Sequence, residues 1–410
     1  MRTHAIHSFF AIHFLLAAGF LATPSARATE TLKLAPVVQP YVDNKIVAGA
    51  VLAVAGKDKT LGVETVGWSN IADTKPMRPD TMFWIASMTK PITCTALMML
   101  VDEGKIDVDS PVSKYLPEFK DQMVIAEKSD DRIVLKRPNR PMLVRDVMNH
   151  TSGLAKGESV PGLLKDEDLS LAVKVAAYST RSLESEPGTT YVYSNPGMNT
   201  VGRLVEKVSG MPYETFLQTR LFDPLGMKDT TFWPSDEQVA RLATCYRASK
   251  DKSDLTPAAE TDPFRRRPLS DRKRSAFPAG GLFSTADDLV KFCRMILNNG
   301  TLDGRRYLSP ERLKQMTTRQ TGEGIPESYG FGWSTGGGLI AHGGAWKTNM
   351  TIDPKSGLIT VFLIQIGDWR DEVEGRKVEP AFRNAAVEKF VGTLPPSGAA
   401  TKTEGSTLQQ

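Results

Sequence analysis

The chain has 410 residues, of which 40% are hydrophobic and 24% charged, and its formal net charge is +4 at pH 7. This composition is that of a globular protein with a large core, in one composite domain or two ordinary ones. The small net charge indicates no particular partner, and neither aromatic interleaving nor a fold signal supports nucleic-acid binding.

The N-terminus has the pattern of a signal peptide, predicted to span residues 1–28. Arg2 is followed by an apolar run from Ser8 to Ala22, and then by Ala26-Arg27-Ala28, which predicts cleavage after Ala28. The run is too short for a normal membrane span, and no later segment approaches about 18 uncharged apolar residues. We expect a secreted or periplasmic protein with no stable membrane span, unless the signal remains uncleaved as an anchor.

Histidine content argues against a metal enzyme. Cleavage after Ala28 leaves His150 and His342 of the original five histidines, and lowers the formal charge from +4 to +2. Two histidines exclude a histidine-rich metal site, and the sequence has no His-Glu-x-x-His motif. We predict neither a metal nor a cofactor.

Hydrophobic periodicity predicts strands near both ends of the chain and helices between them. This order favours one sheet domain built from residues 29–86 and 290–392, with a mostly helical domain (87–289) inserted beside it and a disordered tail (393–410). The predicted helices are Leu32 to Asp43, Ser87 to Gly104, Arg203 to Val208, Tyr213 to Leu221, Ala286 to Asn298 and Glu379 to Phe390. The predicted strands are Gly49 to Ala55, Leu61 to Trp68, Gly330 to Thr335, Gly338 to His342, Asn349 to Asp353 and Leu358 to Gln365.

Ser87 and Lys90 form a Ser-x-x-Lys motif at the start of a predicted helix. The spacing puts both side chains on one helical face, about 5 to 6 Å apart between Cβ atoms. Pro91 suits a first helical turn, so Ser87 lies at the positive end of the helix dipole with its amide able to face an anion. Because a serine hydroxyl needs a base to become nucleophilic, the motif predicts a catalytic pair. A chance match is the alternative.

Tyr193-Ser194-Asn195 supplies a second motif, Tyr-x-Asn, between the turns Pro187-Gly188 and Pro196-Gly197. The turns predict a rigid loop, in which a phenol can relay protons and an amide can orient a substrate carbonyl. An ordinary turn with a packed tyrosine is the alternative interpretation.

A third motif, His342-Gly343-Gly344-Ala345-Trp346, follows a predicted strand. Two glycines suit close approach of a ligand to the backbone, and the amide after them is a candidate second donor of an oxyanion hole. A turn is the plain alternative.

A competing motif, Gly332-Trp333-Ser334-Thr335-Gly336, matches the Gly-x-Ser-x-Gly nucleophile elbow. That motif requires a helix directly after the serine and a histidine well beyond it, following an acid. Here three glycines and another predicted strand follow, and His342 is close in sequence. We therefore disfavour Ser334 as the nucleophile.

The three motifs in this order make the chain resemble the penicillin-recognising serine hydrolases, which include class C β-lactamases, DD-peptidases, D-aminopeptidases and family VIII carboxylesterases. Accessory phrases such as Asn149-His150-Thr151-Ser152-Gly153 and Ala279-Gly280-Gly281 extend the resemblance from about Ala35 to Phe390. The resemblance implies an α/β (α+β) fold of the β-lactamase/transpeptidase type, with an antiparallel sheet flanked by helices and an inserted all-helical domain.

The resemblance also implies roles for the motif residues. Ser87 is expected to attack the acyl carbonyl, Lys90 and Tyr193 to share acid and base duties, and Asn195 to line the site. The amides of Ser87 and Ala345 are expected to form the oxyanion hole. Lys90 can act as a base only if burial or its neighbours lower its pKa from about 10.4.

The third motif departs from the β-lactamase pattern, because His342-Gly343-Gly344 stands where those enzymes usually carry Lys-Thr-Gly. Histidine, with a reference pKa of about 6.5, is mostly neutral at pH 7 and anchors a substrate carboxylate poorly. We therefore expect an exported serine hydrolase acting through an acyl-enzyme, foremost a carboxylesterase on short acyl esters. A β-lactamase or D-peptide hydrolase is the alternative, since some D-peptide hydrolases resemble the chain in using histidine here. Lys347 is a candidate to restore the charge.

A catalytically silent binding or envelope protein that keeps the fold is the non-enzymatic alternative, and the presence of Ser87, Lys90 and Tyr193 argues against it. The expected partner is a small ester, amide or lactam substrate, and the oligomeric state is open. The basic run from Arg265 to Arg274 favours a solvated surface, with an electrostatic rim for anionic substrates as the alternative.

Overall fold

The computed structural model describes residues 33–157, 169–258 and 268–391. The expected signal peptide (1–28), the expected tail (393–410) and Arg265-Arg266-Arg267 lie outside the described residues. The helices are α1 (Ala35–Asp43), α2 (Thr89–Asp102), α3 (Val144–Met148), α4 (Leu171–Ser179), α5 (Asn195–Ser209), α6 (Tyr213–Leu217), α7 (Asp223–Leu225), α8 (Asp236–Ala240), α9 (Ala286–Leu297), α10 (Pro310–Thr317), α11 (Glu372–Gly375) and α12 (Val378–Val391). A π-helical turn, Gln218–Phe222, joins α6 to α7.

The strands include seven-residue and eleven-residue members near the N-terminus and short hairpins elsewhere. They are β1 (Gly49–Ala55), β2 (Thr60–Asn70), β3 (Lys75–Pro76), β4 (Phe83–Trp84), β5 (Val124–Lys128), β6 (Ile133–Lys136), β7 (Tyr246–Ala248), β8 (Leu255–Pro257), β9 (Phe283–Ser284), β10 (Thr301–Leu302), β11 (Arg305–Arg306), β12 (Ile340–Gly343), β13 (Asn349–Asp353) and β14 (Leu358–Leu363).

The main sheet joins strands from the two ends of the described chain. Its order is β12-β13-β14-β1-β2-β3, and each neighbouring pair is antiparallel. Strand β1 pairs with β14 through Val51 opposite Leu363. The predicted antiparallel sheet flanked by helices is confirmed.

Helices cover both faces of this sheet. On one face, Cys293 of α9 contacts Met350 of β13, with sulfur atoms 3.7 Å apart, and Met350 pairs with Val361. On the other face, Phe362 stacks on Phe382 of α12 at 5.8 Å between ring centroids. Successive side chains of a strand point to opposite faces, so β14 is buried on both sides. The strand is accordingly apolar at every position except Thr360.

Helix α2 runs through the interior, and its residues from Thr89 to Val101 are buried. A helix that is apolar all round belongs in a core. The buried Thr95 hydroxyl is satisfied on the helix itself, because it donates to the Pro91 carbonyl at 2.8 Å. The Thr93 hydroxyl also reaches the Pro278 carbonyl at 2.7 Å. Core residues therefore pack around all sides of α2, the helix that follows Ser87.

The region between the two sheet segments contains helices and also small hairpins, formed by β5 with β6 and by β7 with β8. Helix α5 is longer than predicted and begins at Asn195, so the Tyr-x-Asn motif ends in a helix instead of lying wholly in a loop. The predicted strand Gly330 to Thr335 is wrong. Gly332 has φ of 77°, which turns the chain there, and Ser334 forms an isolated bridge.

Part of the basic run is buried. Arg274 is 3% exposed and donates from its guanidinium to the Leu269 carbonyl at 2.6 Å. The Arg272 guanidinium lies 5.3 Å from the centre of the Trp233 ring. The solvated-surface interpretation is therefore wrong for Arg274. Among the described residues, no helix combines the length and the apolar character needed to cross a bilayer.

Candidate active site

Ser87 and Lys90 meet where the chain enters α2. Ser87 lies in a 3-10 turn, Ala86–Met88, so the α-helix proper begins two residues later than Ser87. The Lys90 Nζ is 3.1 Å from the Ser87 hydroxyl oxygen. Ser87 is partly exposed and Lys90 is buried, so the hydroxyl is accessible while its amine neighbour is shielded.

The turn that carries Ser87 is fixed by its neighbours. Ala86 has φ of 44°, a left-handed conformation that costs a non-glycine residue about 1 kcal/mol or more. Its carbonyl accepts from the Thr89 hydroxyl at 2.7 Å, and that hydroxyl accepts from the Leu282 amide at 3.2 Å. The amide of Ile85 also donates to the Leu282 carbonyl at 3.0 Å. Such strain persists only where the surroundings over-determine the conformation.

Lys90 has contacts in two directions. Its Nζ donates to the Ala279 carbonyl at 2.7 Å and lies 4.5 Å from the centre of the Tyr193 ring. The Ala279 amide in turn donates to Asn199 Oδ1 at 3.2 Å, which fixes the carbonyl in place. The amine is therefore held between the Ser87 hydroxyl, the Ala279 carbonyl and the Tyr193 ring.

Tyr193 reaches the same serine from a distant part of the chain. Its hydroxyl interacts with the Ser87 hydroxyl, which lowers the pKa of Tyr193, but burial has the larger effect and raises that pKa above its usual 10. The phenol is therefore protonated at neutral pH. Ser194, the next residue, caps the N-terminus of α5 by accepting from the Gly197 amide at 3.1 Å, so Tyr193 directly precedes a fixed helix start.

Asn195 begins α5 directly beside Tyr193. Its side-chain Oδ1 is buried and accepts no hydrogen bond within the described part of the chain. A buried amide oxygen without a partner is costly, and such groups in native proteins call for a functional or structural reason.

His342 of β12 lies near Tyr193, with ring centroids 6.4 Å apart. Its Nδ1 is 2.7 Å from the Gly343 carbonyl and its Nε2 is 2.9 Å from the Tyr329 hydroxyl. Burial, followed by the charge of Lys90, lowers the pKa of His342 to about 3. A neutral ring then donates from Nδ1 to Gly343 and accepts at Nε2 from Tyr329.

Gly344 of the third motif lies against the chain two residues before Ser87. A Cβ built on Gly344 would lie 2.5 Å from the Ile85 carbonyl oxygen and 2.2 Å from the Thr348 hydroxyl. No side chain fits there, so glycine permits Ala345 to follow directly beside the Ser87 turn. Trp346 is buried and packs against Trp84, with ring centroids 5.7 Å apart.

Lys347 belongs to a different group of charges. Its half-buried side chain lines an open cavity of about 370 Å³ together with Asp368, Trp369 and Glu372. Burial lowers the pKa of Lys347, while Glu372 and Asp368 oppose this. The charge that acts on His342 is that of Lys90. The suggestion that Lys347 restores the charge of the third motif is therefore not supported by its surroundings.

Ser334, the competing nucleophile, lacks the required setting. Its main chain pairs with Ala341, with both N to O distances 3.0 Å, and a 3-10 turn over Gly336–Gly338 follows instead of a helix. In the described part of the chain its exposed hydroxyl has no hydrogen bond.

Three further residues at the site escaped the sequence motifs. Tyr329 bonds His342, Ala279 bonds Lys90, and His150 packs on Tyr193 with ring centroids 4.5 Å apart. His150 and Ala279 stand in phrases that carried the family resemblance, and this was the signal available for them. Among the described residues, no three metal-binding side chains come together.

The sequence of this chain matches a known protein family, and the match agrees with the arrangement of Ser87, Lys90 and Tyr193. The family model of the β-lactamases matches residues 34–380. The chain belongs to the β-lactamase family. This family comprises serine hydrolases, and its β-lactamase/transpeptidase-like fold confirms the predicted fold class.

Curated relatives of this family member include proteins with several names. An uncharacterized protein of Mycobacterium tuberculosis is 34% identical over 360 residues, 80% of this chain and 88% of the relative. A lovastatin esterase of Penicillium rubens is 30% identical over 61% of this chain and 62% of its own length. A putative D-alanyl-D-alanine carboxypeptidase of Salmonella agona is 27% identical over 69% of each chain.

Solved structures share the fold. Simvastatin synthase (LovD) from Aspergillus terreus has a TM-score of 0.74 at 21% identity, covering 87% of this chain and 98% of that one. EstCE1, a hydrolase with promiscuous acyltransferase activity, has a TM-score of 0.71 at 22% identity, covering 86% and 97%. At these identities the likeness concerns the fold alone.

Proposed function

We propose that this protein is an exported serine carboxylesterase that acts on short acyl esters through an acyl-enzyme. The observation that carries the proposal is the joint contact of Ser87 with Lys90 at 3.1 Å and with the Tyr193 hydroxyl. An amine and a phenol on one serine supply a proton acceptor and a proton donor for acyl transfer.

In the proposed first step, Ser87 Oγ attacks the ester carbonyl carbon while its proton passes to a neutral Lys90. The amides of Ser87 and Ala345 receive the oxyanion. As the carbonyl re-forms and the bond to the leaving alkoxide breaks, the protonated Tyr193 gives its proton to the alkoxide and recovers one from Lys90. Water then repeats the sequence on the acyl-enzyme and releases the acid.

The choice of an ester over a β-lactam rests on the third motif. A neutral His342, with its pKa near 3, offers no cation for a substrate carboxylate, and Lys347 lines a cavity beside Asp368 and Glu372 instead. The lovastatin esterase relative agrees with this choice. Asn195, whose buried Oδ1 lacks a partner within the described residues, is proposed to contact the substrate.

The second candidate is a hydrolase of D-alanyl-D-alanine peptides or β-lactams, favoured by the carboxypeptidase relative. Rates of the purified mature protein on a short-chain nitrophenyl ester, a D-alanyl-D-alanine peptide and a chromogenic cephalosporin separate the candidates. We expect the highest kcat/KM on the ester. Dominant turnover of the cephalosporin or the peptide would replace the ester assignment.

The silent-protein alternative is tested by covalent labelling with a fluorophosphonate. We expect stoichiometric labelling of the wild-type protein, and absence of any labelling would favour a binding or envelope protein. Export to the periplasm or beyond is part of the proposal and rests on the signal-peptide pattern of residues 1–28. N-terminal sequencing of the native protein, with Thr29 as the expected first residue, tests it.

A further inference from the structure

His150 holds the segment around Tyr193 at three places, although the chemistry above gives it no part. Its carbonyl oxygen accepts from the Val192 amide at 2.9 Å, and its Nδ1 accepts from the Ser194 amide at 3.1 Å. Its ring lies against the Tyr193 ring, with centroids 4.5 Å apart and an interplanar angle of 38°. The amides of the residues before and after Tyr193 thus both donate hydrogen bonds to His150.

The backbone of His150 has an unusual conformation. Its φ is 64°, in the left-handed region that histidine and asparagine tolerate better than most residues. In this conformation the main-chain oxygen and the ring nitrogen both reach amides of the same short segment. The neighbouring Thr151 carbonyl extends the contact by accepting from the Gly188 amide at 2.7 Å.

The bond from Ser194 determines the tautomer. Since Nδ1 accepts, a neutral ring carries its proton on Nε2, which is buried and has no hydrogen-bond partner among the described residues. The ring is enclosed by Tyr191, Tyr193 and Tyr329. Burial, followed by the charge of Lys90, holds the pKa of His150 well below 6.5. Nδ1 therefore stays available as an acceptor.

We propose that His150 is a positioning residue that holds the Tyr193 phenol at the Ser87 hydroxyl through its two backbone-directed acceptors and its ring. The inference rests on the proposed function, in which Tyr193 is the proton donor. Misplacement of a reacting group by about 1 Å can cost about 100-fold in rate, so loss of these contacts is expected to slow acyl transfer.

Two substitutions separate the acceptor from the backbone conformation. His150→Gly and His150→Asn both accept a left-handed φ, but only asparagine provides a side-chain oxygen near the position of Nδ1. We expect His150→Gly to lower kcat about 10- to 100-fold with a smaller change in KM, and His150→Asn to recover most of the loss. Val205→Ala, a buried change in α5, controls for destabilisation and is expected to leave kcat unchanged.

A double-mutant cycle with Tyr193→Phe tests whether His150 acts through the tyrosine. If it does, His150→Gly adds little loss to Tyr193→Phe. The inference would be overturned if the losses in kcat of His150→Gly and Tyr193→Phe multiplied in the double mutant. It would also be overturned if His150→Asn stayed as slow as His150→Gly while Val205→Ala kept the wild-type kcat.

Amide hydrogen exchange decides the inference even without turnover. We expect the Ser194 amide, whose acceptor is the side-chain Nδ1, to exchange faster in His150→Gly than in His150→Asn. Unchanged protection in His150→Gly would contradict a positioning role. A wild-type protein that turns over no substrate in the panel would refute the proposed function separately.

Discussion

Two turns of this protein each present a serine in a short hydrolase motif, at Ser87 and at Ser334. The Ser87 turn precedes a helix buried on every side and is met by Lys90 and Tyr193. The Ser334 turn precedes three glycines and an edge strand, β12, and its hydroxyl is exposed. A short serine motif therefore does not identify a nucleophile by itself. The surrounding core must also hold a base next to the serine, and in the described part of the chain it does so at Ser87 and not at Ser334.

The largest expected effect comes from exchanging the two serines separately for alanine. Ser87→Ala removes the attacking oxygen, so we expect ester turnover to fall by at least about 10⁴-fold. Ser334→Ala removes an exposed hydroxyl and is expected to leave turnover unchanged. The measurement is steady-state hydrolysis of a nitrophenyl ester, supported by fluorophosphonate labelling. Labelling that survives Ser87→Ala and vanishes in Ser334→Ala would reverse the comparison.

The next effect concerns the amine that distinguishes the Ser87 turn. Lys90→Ala removes the proposed base and is expected to lower kcat about 10³-fold. Lys347→Ala is a matched control, because this half-buried lysine follows the third motif but lines the cavity with Asp368 and Glu372; a change within about 2-fold is expected. Similar losses in the two variants would place Lys347 in the same site.

A smaller effect is expected for the phenol. Tyr193→Phe keeps the ring but removes the proton donor, so kcat is expected to fall about 100-fold. His342→Ala, which removes a neutral ring bonded to Tyr329, is expected to cost less than about 10-fold, equivalent to about 1.4 kcal/mol. Rapid-mixing measurement of the acylation rate separates the two. Equal losses would give the histidine a larger part in the chemistry.

Local patterns were sufficient for much of the fold. The strand-like runs and the turn residues that follow them predicted β1 (Gly49–Ala55) and β13 (Asn349–Asp353) with the bounds that the structure has. The strand predicted over Gly330 to Thr335 failed because its apolar residues, Phe331 and Trp333, are buried from a turn. Apolar composition alone does not distinguish these situations, since burial of a short segment is common to both.

The candidate site also contains some contacts that the sequence predicts and others that it does not. The contact between Ser87 and Lys90 follows from their spacing along one helical turn, which sequence displays directly. The contacts of His150 with Val192 and Ser194 depend on a left-handed residue pairing with a distant segment. No periodicity encodes such a pairing, so only the family phrase marked it. The roles of Ser87, Lys90, Tyr193 and Asn195 remain predictions for the experiments above.

The smallest expected effect is a pH dependence of stability, which arises from the same burial that separates the Ser87 site from the Ser334 turn. The pKa of His342 is about 3 in the folded protein and about 6.5 in an unfolded chain. Below pH 6.5 the unfolded state therefore binds a proton that the folded state does not, and stability falls as pH falls toward 3. The slope is at most about 1.4 kcal/mol per pH unit for one histidine, and His150 adds to it in the same direction.

His342→Gln isolates this contribution, because glutamine offers Tyr329 an acceptor without titrating. Carboxylates titrate in the same way in the wild-type protein and in the variant. Their contribution therefore cancels when the unfolding free energies of the two proteins are subtracted. From pH 6.5 to 4.5, measured by urea denaturation, we expect the wild-type protein to lose about 2 kcal/mol more than the variant. Parallel curves would mean that His342 is solvated in the folded protein. The Ser87 site would then be more open to water than the structure shows, and it would differ less from the exposed Ser334 turn.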